Sequence, residues 1–147
     1  MSLEKNKAII RSFIEAVNKQ NLASLDDLMA PDFVEHTVQL QGLEGAKQFL
    51  TSIYKGFPDW HETIEDIIAE GDKVWTRAKY TGTHTGEYLG LAPTGKKIAI
   101  TGVNIWRIVD GKVVERESVR DLLDFLKQLG VIEYTEKAKK LFPENVK

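Results

Sequence analysis

The hydrophobic pattern of this chain changes once, near Trp60, from a helical repeat to strand alternation. Before that point, residues 3–17 set Ile10, Phe13, Ile14 and Val17 on one stripe, with Ser2 as N-cap and Glu4 in the first turn. Asn18-Lys19-Gln20-Asn21 breaks the pattern. A shorter piece carries Leu22, Leu25, Leu28 and Met29 on one side and is expected to end at Pro31. A further helix over about residues 43–55 turns Ala46, Phe49, Leu50 and Ile53 inward, with Gly56 as its C′ residue and Pro58 blocking continuation. After Trp60, residues 61–69 and 74–83 read as strands joined by Glu70-Gly71-Asp72-Lys73. A glycine-rich connection spans residues 82–95, and strands over 98–109 and 113–121 flank Asp110-Gly111, a two-residue hairpin turn. Leu122, Phe125, Leu126 and Leu129 form a helical stripe closed by Gly130, and a last helical piece over about 134–141 is expected to end at Pro143. Helices followed by an antiparallel meander indicate an α+β fold, not a βαβ one.

The chain has 147 residues, with neither repeat nor linker, so it is expected to form one domain, 1–147, around one core. A net charge of −2 with both signs interspersed gives no electrostatic footprint for nucleic acid. The longest apolar runs are far too short to span a membrane. The N-terminus lacks the apolar region of a secretory signal, which leaves the cytoplasm as the expected location. The absence of cysteine excludes disulfides, thiolate nucleophiles and Cys-ligated metal. The three histidines fall in no metal-ligand spacing, so no metal or other cofactor is expected.

The Asp110-Gly111 turn allows a register to be written for the last hairpin. If these are the two central residues, Val109 pairs with Lys112, Asn104 lies opposite Glu117, Trp106 opposite Glu115 and Gly102 opposite Val119. One face then shows Asn104, Trp106, Ile108, Val113, Glu115, Glu117 and Val119, continuing to Asp121. The other shows Val103, Ile105, Arg107, Val114, Arg116, Ser118 and Arg120. Both faces are mixed, which fits a partly polar pocket on one side and a partner surface, in a homodimer, on the other.

Asp121 stands at a strand-to-helix junction before Leu122-Leu123, and two readings are open from its position. It is an N-cap, or it is a general acid/base whose pKa apolar neighbours raise. Arg77 in mid-strand either holds a substrate oxygen or pairs with Asp66 across the first hairpin. His36 is a pocket candidate, whereas His61 and His84 say less, and the small residues around His84 read as a loop. Thr94-Gly95-Lys96-Lys97 lacks the glycine spacing of a phosphate loop, and no nucleophile elbow is present.

The run Asp110-Gly111-Lys112-Val113-Val114-Glu115 through Asp121, then Leu122-Leu123-Asp124-Phe125-Leu126-Lys127-Gln128-Leu129-Gly130, resembles the C-terminal signature of SnoaL-like polyketide cyclases. These belong to the nuclear-transport-factor-2-like superfamily. Phe33-Val34-Glu35-His36, Gly82-Thr83-His84-Thr85-Gly86-Glu87, Pro93-Thr94-Gly95-Lys96 and Ile105-Trp106-Arg107-Ile108 match in the same order. The resemblance implies a cone-shaped, cystatin-like domain, with helices on a strongly curved, mainly antiparallel sheet around a pocket. It also implies a dimer, no cofactor, and intramolecular aldol ring closure of a small carbonyl substrate. The acid/base Asp of the family falls on Asp121. Where the family commonly carries Trp, four residues earlier, this chain has Glu117. On that reading Asp121 moves the proton at carbon, and His36, Asn104, Trp106, Glu117 and Val119 line the substrate. An isomerase or epoxide hydrolase on the same fold, and a non-catalytic small-molecule binder, are the alternatives.

Overall fold

A computed structural model describes residues 2–37 and 40–141; Pro143 lies outside the described residues. Helix α1 (Leu3–Asn18) is capped by the Ser2 side chain, which accepts from the Lys5 N–H. A 3₁₀ turn (Leu22–Ser24) and the short α2 (Leu25–Leu28) follow, then β1 (Met29–Glu35), β2 (Leu40–Gln41) and α3 (Gly42–Gly56). The strands β3 (His61–Glu70), β4 (Lys73–Thr83), β5 (Lys97–Val109) and β6 (Lys112–Arg120) lead to α4 (Leu122–Leu129) and α5 (Glu136–Leu141). The sheet runs β2-β1-β6-β5-β4-β3, antiparallel throughout except where β1 lies parallel to β6. The fold is α+β, and the stripes of α1 and α3 pack on one face of the curved sheet.

Three local expectations are corrected. Pro31 does not end a helix; it lies inside β1, between the paired residues Met29 and Val34 where the ladder with β6 is interrupted. A missing N–H costs least at such an irregularity. Gly56 is the last residue of α3 and Phe57 its C-cap. Glycine is required there by contact, since a Cβ would come within 2.6 Å of the Tyr88 Cβ.

The third correction moves a whole face. Asp110 and Gly111 have φ of 50° and 77°, as a type I′ turn demands, and Val109 pairs with Lys112. Ile108 then pairs with Val113, but Arg107 pairs with Glu115, so Val114 is one extra residue in β6. Beyond this bulge Trp106 faces Arg116, Asn104 faces Ser118 and Gly102 faces Arg120. A one-residue slip turns every later side chain over. Arg116, Ser118 and Arg120 therefore enter the helix-covered face, while Glu117 and Val119 point away from it.

The glycine-rich connection is held against α3 by backbone contact. The N–H groups of Thr85 and Gly86 both donate to the Gly56 carbonyl at 3.1 Å. A Cβ on Gly86 would lie 1.9 Å from the Lys55 carbonyl oxygen. Gly86→Ala is expected to destabilise by on the order of 3 kcal/mol. Thermal unfolding followed by circular dichroism checks this, with a melting temperature lowered by roughly 10 °C.

Candidate functional site

The helix-covered face is apolar at its edges and polar in its middle. Val74, Trp106, Ile98, Ile100, Ile108 and Val113 pack against the helices, and among them Glu62, Thr76, Asn104 and Ser118 are buried. Asn104 is the hub. Its Nδ2 donates to the Tyr80 hydroxyl at 2.7 Å and to Glu62 Oε2 at 3.3 Å, and its Oδ1 accepts from Ser118 Oγ at 2.6 Å. The chain of contacts continues through the Ser118 backbone, which exchanges bonds with Thr37 Oγ1. The Thr37 N–H reaches Glu35 Oε1, and Glu35 Oε2 is paired with Arg116. Arg116 also lies over the Trp106 ring at 5.3 Å, and Trp106 Nε1 donates to Thr76 Oγ1 at 3.1 Å.

Glu62 is the residue whose chemistry this setting alters most. Burial pushes its carboxyl up to about 7, against the opposing pull of Arg116 and Arg120. Its backbone is fixed by Asn18 of α1, which accepts from the Glu62 N–H and donates to the Glu62 carbonyl, each at 2.8 Å. Burial, with Glu62 alongside, raises the Tyr80 phenol to about 12. A carboxyl poised near neutrality beside a neutral phenol and an amide can accept and return a proton.

The residues chosen from the sequence separate into two groups. Asn104 and Trp106 lie in the interior, fully buried. Glu117 and Val119 lie on the opposite face. His36 sits at the rim, where Nε2 meets Glu115 Oε2 at 2.8 Å and the side chain is half exposed. His36, followed by Arg107, holds the Glu115 carboxyl below the usual carboxylate range. Asp121 is exposed and caps α4, its Oδ1 accepting from the Asp124 N–H at 3.1 Å. Arg77 lies in register with Asp66 but pairs with Glu65 at 3.3 Å, because β3 carries a bulge at that point.

Glu62, Tyr80, Arg116, Arg120 and Ser118 were missed. Strand alternation in residues 61–70 would have turned Glu62 inward with Ile64, and that was the available signal. His84, read as a loop residue, is fully buried and stacks on Phe57 at 5.2 Å. The Thr94 N–H donates to His84 Nδ1, so the ring proton sits on Nε2. That nitrogen is buried without a partner among the described residues.

Beside Arg116 lies a cavity of about 20 Å³, bounded by Phe13, Phe33, Glu35 and Leu50 among others, enough for one water. Among the described residues no His, Asp or Glu cluster is placed to hold a metal, and no helix is long and apolar enough to cross a membrane.

A helix-backed curved sheet with a buried carboxyl–amide–phenol cluster is an α+β fold of the cone class. Comparison with known proteins gives the family. The model of the SnoaL-like polyketide cyclases matches residues 7–129. The chain is 30% identical to the aklanonic acid methyl ester cyclase DauD of Streptomyces sp. (strain C5), over 83% of this chain and 80% of that protein. The structure of TsrD from Streptomyces laurentii superposes with a TM-score of 0.83, at 24% identity, covering 90% of this chain and 99% of that one. IdmH from Streptomyces antibioticus superposes with a TM-score of 0.74, at 34% identity, over 85% and 98%. The chain belongs to the SnoaL-like polyketide cyclase family.

The raised Glu62 carboxyl has a consequence for stability. Its pKa rises from 4.5 unfolded to about 7 folded, so the folded state holds the proton more tightly. Stability from this group is present below pH 4.5, is lost as pH rises to about 7, and stays lost above it. The full swing is about 3 kcal/mol. Glu62→Gln is expected to be more stable than the parent above pH 7 and to lose that advantage toward pH 4.5. Urea unfolding of both proteins across this range checks it.

Proposed function

We propose that this protein closes a ring by an intramolecular aldol reaction on a small polyketide-like carbonyl compound, without a cofactor. A proton leaves the carbon beside one carbonyl, the resulting enolate carbon bonds to a second carbonyl carbon, and the new alkoxide takes up a proton. The supporting observation is the buried Glu62–Asn104–Tyr80 cluster inside a chain of a cyclase family. Hydrogen-bond donors in a low-dielectric interior stabilise charge developing on a carbonyl oxygen. Asp121 is the acid/base carrier that the family resemblance implies, at the solvent end of β6, with Asn104 and Trp106 on the substrate side. Aklanonic acid methyl ester, named for the relative DauD, is the first compound to test.

A second reading is favoured by the Asp121 geometry. A carboxylate that accepts from the Asp124 N–H performs a capping role, as a non-catalytic binder would require. Asp121→Asn separates the catalytic role of Asp121 from the capping one, because Asn caps about as well as Asp but carries no transferable proton. Catalysis predicts a fall in turnover of about two orders of magnitude with an unchanged melting temperature. Unchanged turnover would assign Asp121 to the cap alone.

The protein is also proposed to pair with itself through the outer sheet face. Ile68, Trp75 and Val119 there are 60%, 45% and 65% exposed. Ladder pairing sets Ile68, Trp75, Ile105 and Glu117 in one row and Asp66, Arg77, Val103 and Val119 in the next. An apolar band rimmed by both charge signs suits a two-fold contact. Sedimentation equilibrium at micromolar concentration is expected to give twice the monomer mass, and Trp75→Glu a monomer.

A further inference from the structure

The row of the inner face between Asn104 and Tyr80 is occupied by the small residues Ala78 and Gly102, paired with each other across β4 and β5. Asn104 reaches over this small-residue row to the Tyr80 hydroxyl and Glu62. Arg120 pairs with Gly102 from β6, and its stem needs the missing side chain, since a Cβ on Gly102 would lie 2.8 Å from Arg120 Cγ. The charge of Arg120 is felt by Glu62, Tyr80 and Tyr88. The other interior arginine, Arg116, is neutralised by Glu35. Arg120 has no carboxylate partner among the described residues, and its Nε is buried without a hydrogen bond. A buried N–H left unpaired is costly unless a ligand completes it.

We propose that Glu62 and Arg120 form a proton-transfer site beside the Ala78–Gly102 pair, with Glu62 as base and Arg120 as the holder of the oxygen that becomes negative. The inference rests on the ring-closing reading and adds a second proton carrier to Asp121. Glu62 takes the proton from carbon; the C–H electron pair forms the enolate double bond, and the carbonyl pair moves onto the oxygen held by Arg120. The enolate carbon bonds to the second carbonyl, whose oxygen receives a solvent proton relayed by Asp121. Glu62 returns its proton to solvent as product leaves, so the protein ends as it began. The ligand class is an enolisable carbonyl compound, or a phenolate of the same shape.

The test uses 4-nitrophenol, whose oxygen mimics the enolate oxygen and whose ionisation is read by absorbance. The parent protein is expected to bind the ionised form, and its affinity for that form, after correction for the probe's own ionisation, falls as pH rises through about 7, where Glu62 becomes charged. The groups facing Glu62 are Tyr80, Arg116 and Arg120, with Arg116 already paired to Glu35, so this dependence belongs to Glu62. Glu62→Gln is expected to keep affinity and lose the pH dependence. Arg120→Met is expected to weaken binding at least about tenfold, and Arg120→Lys to restore most of it, both confirmed as folded by circular dichroism. Equal affinity of parent and Arg120→Met, pH dependence surviving in Glu62→Gln, or no binding by the parent would overturn the proposal. The expected probe behaviour without ring closure of any polyketide would instead remove the cyclase reading and leave this site standing.

Discussion

The arrangement of the interior depends on one side chain, Asn104, which satisfies three neighbours from the centre of the sheet. Its amide ties Glu62 of β3, Tyr80 of β4 and Ser118 of β6 into one cluster. None of these polar groups has ready access to bulk water, so each must be paired inside the protein or left at a cost of kilocalories. Asn104 does this because an amide offers both a donor and an acceptor in one plane. A carboxylate at position 104 would add charge beside Glu62, and a leucine would orphan three partners. The cluster therefore links β3, β4, β5 and β6 across the inner face and supplies a poised carboxyl at once.

Glu62 and Asp121 show how setting decides what a carboxylate can do. Asp121 meets water and the N-terminus of α4, where it accepts from the Asp124 N–H. Glu62 is taken out of water, and its charged form is supported by the Asn104 amide and by two arginines, one of them already engaged by Glu35. Desolvation outweighs that support and leaves Glu62 near neutrality. The family resemblance points to Asp121 and the physical environment points to Glu62. Ring closure needs a proton removed from carbon and another delivered to oxygen, and two carriers in different dielectric settings suit those two tasks.

Much of the fold was legible before the structure. The apolar stripes of α1 and α3, the Ser2 cap, the Asp110-Gly111 turn and the Gly130 helix stop (φ 74°) are local signals, and each sits where pattern placed it. The site was half legible, for a reason that lies in Val114. A bulge adds one residue without marking the sequence, because Val113 and Val114 are equally apolar and either can face the core. Everything beyond it on β6 changes sides, which exchanges Glu117 and Val119 for Ser118 and Arg120. Asn104 and Trp106 stayed inside because β5 carries no extra residue. Strand β1 was hidden by Pro31, which reads as a helix stop, and is tolerated where the ladder is interrupted.

The account turns on whether the interior holds a carboxyl that is neutral and charged in comparable amounts at physiological pH. A carbon-13 NMR titration of the glutamate side-chain carboxyls, with Glu62 assigned by its absence in Glu62→Gln, measures this directly. A midpoint for Glu62 near 7, clear of every exposed glutamate, is the predicted result. A midpoint among the exposed glutamates, close to 4.5, would mean that water reaches Glu62 freely and would contradict the account.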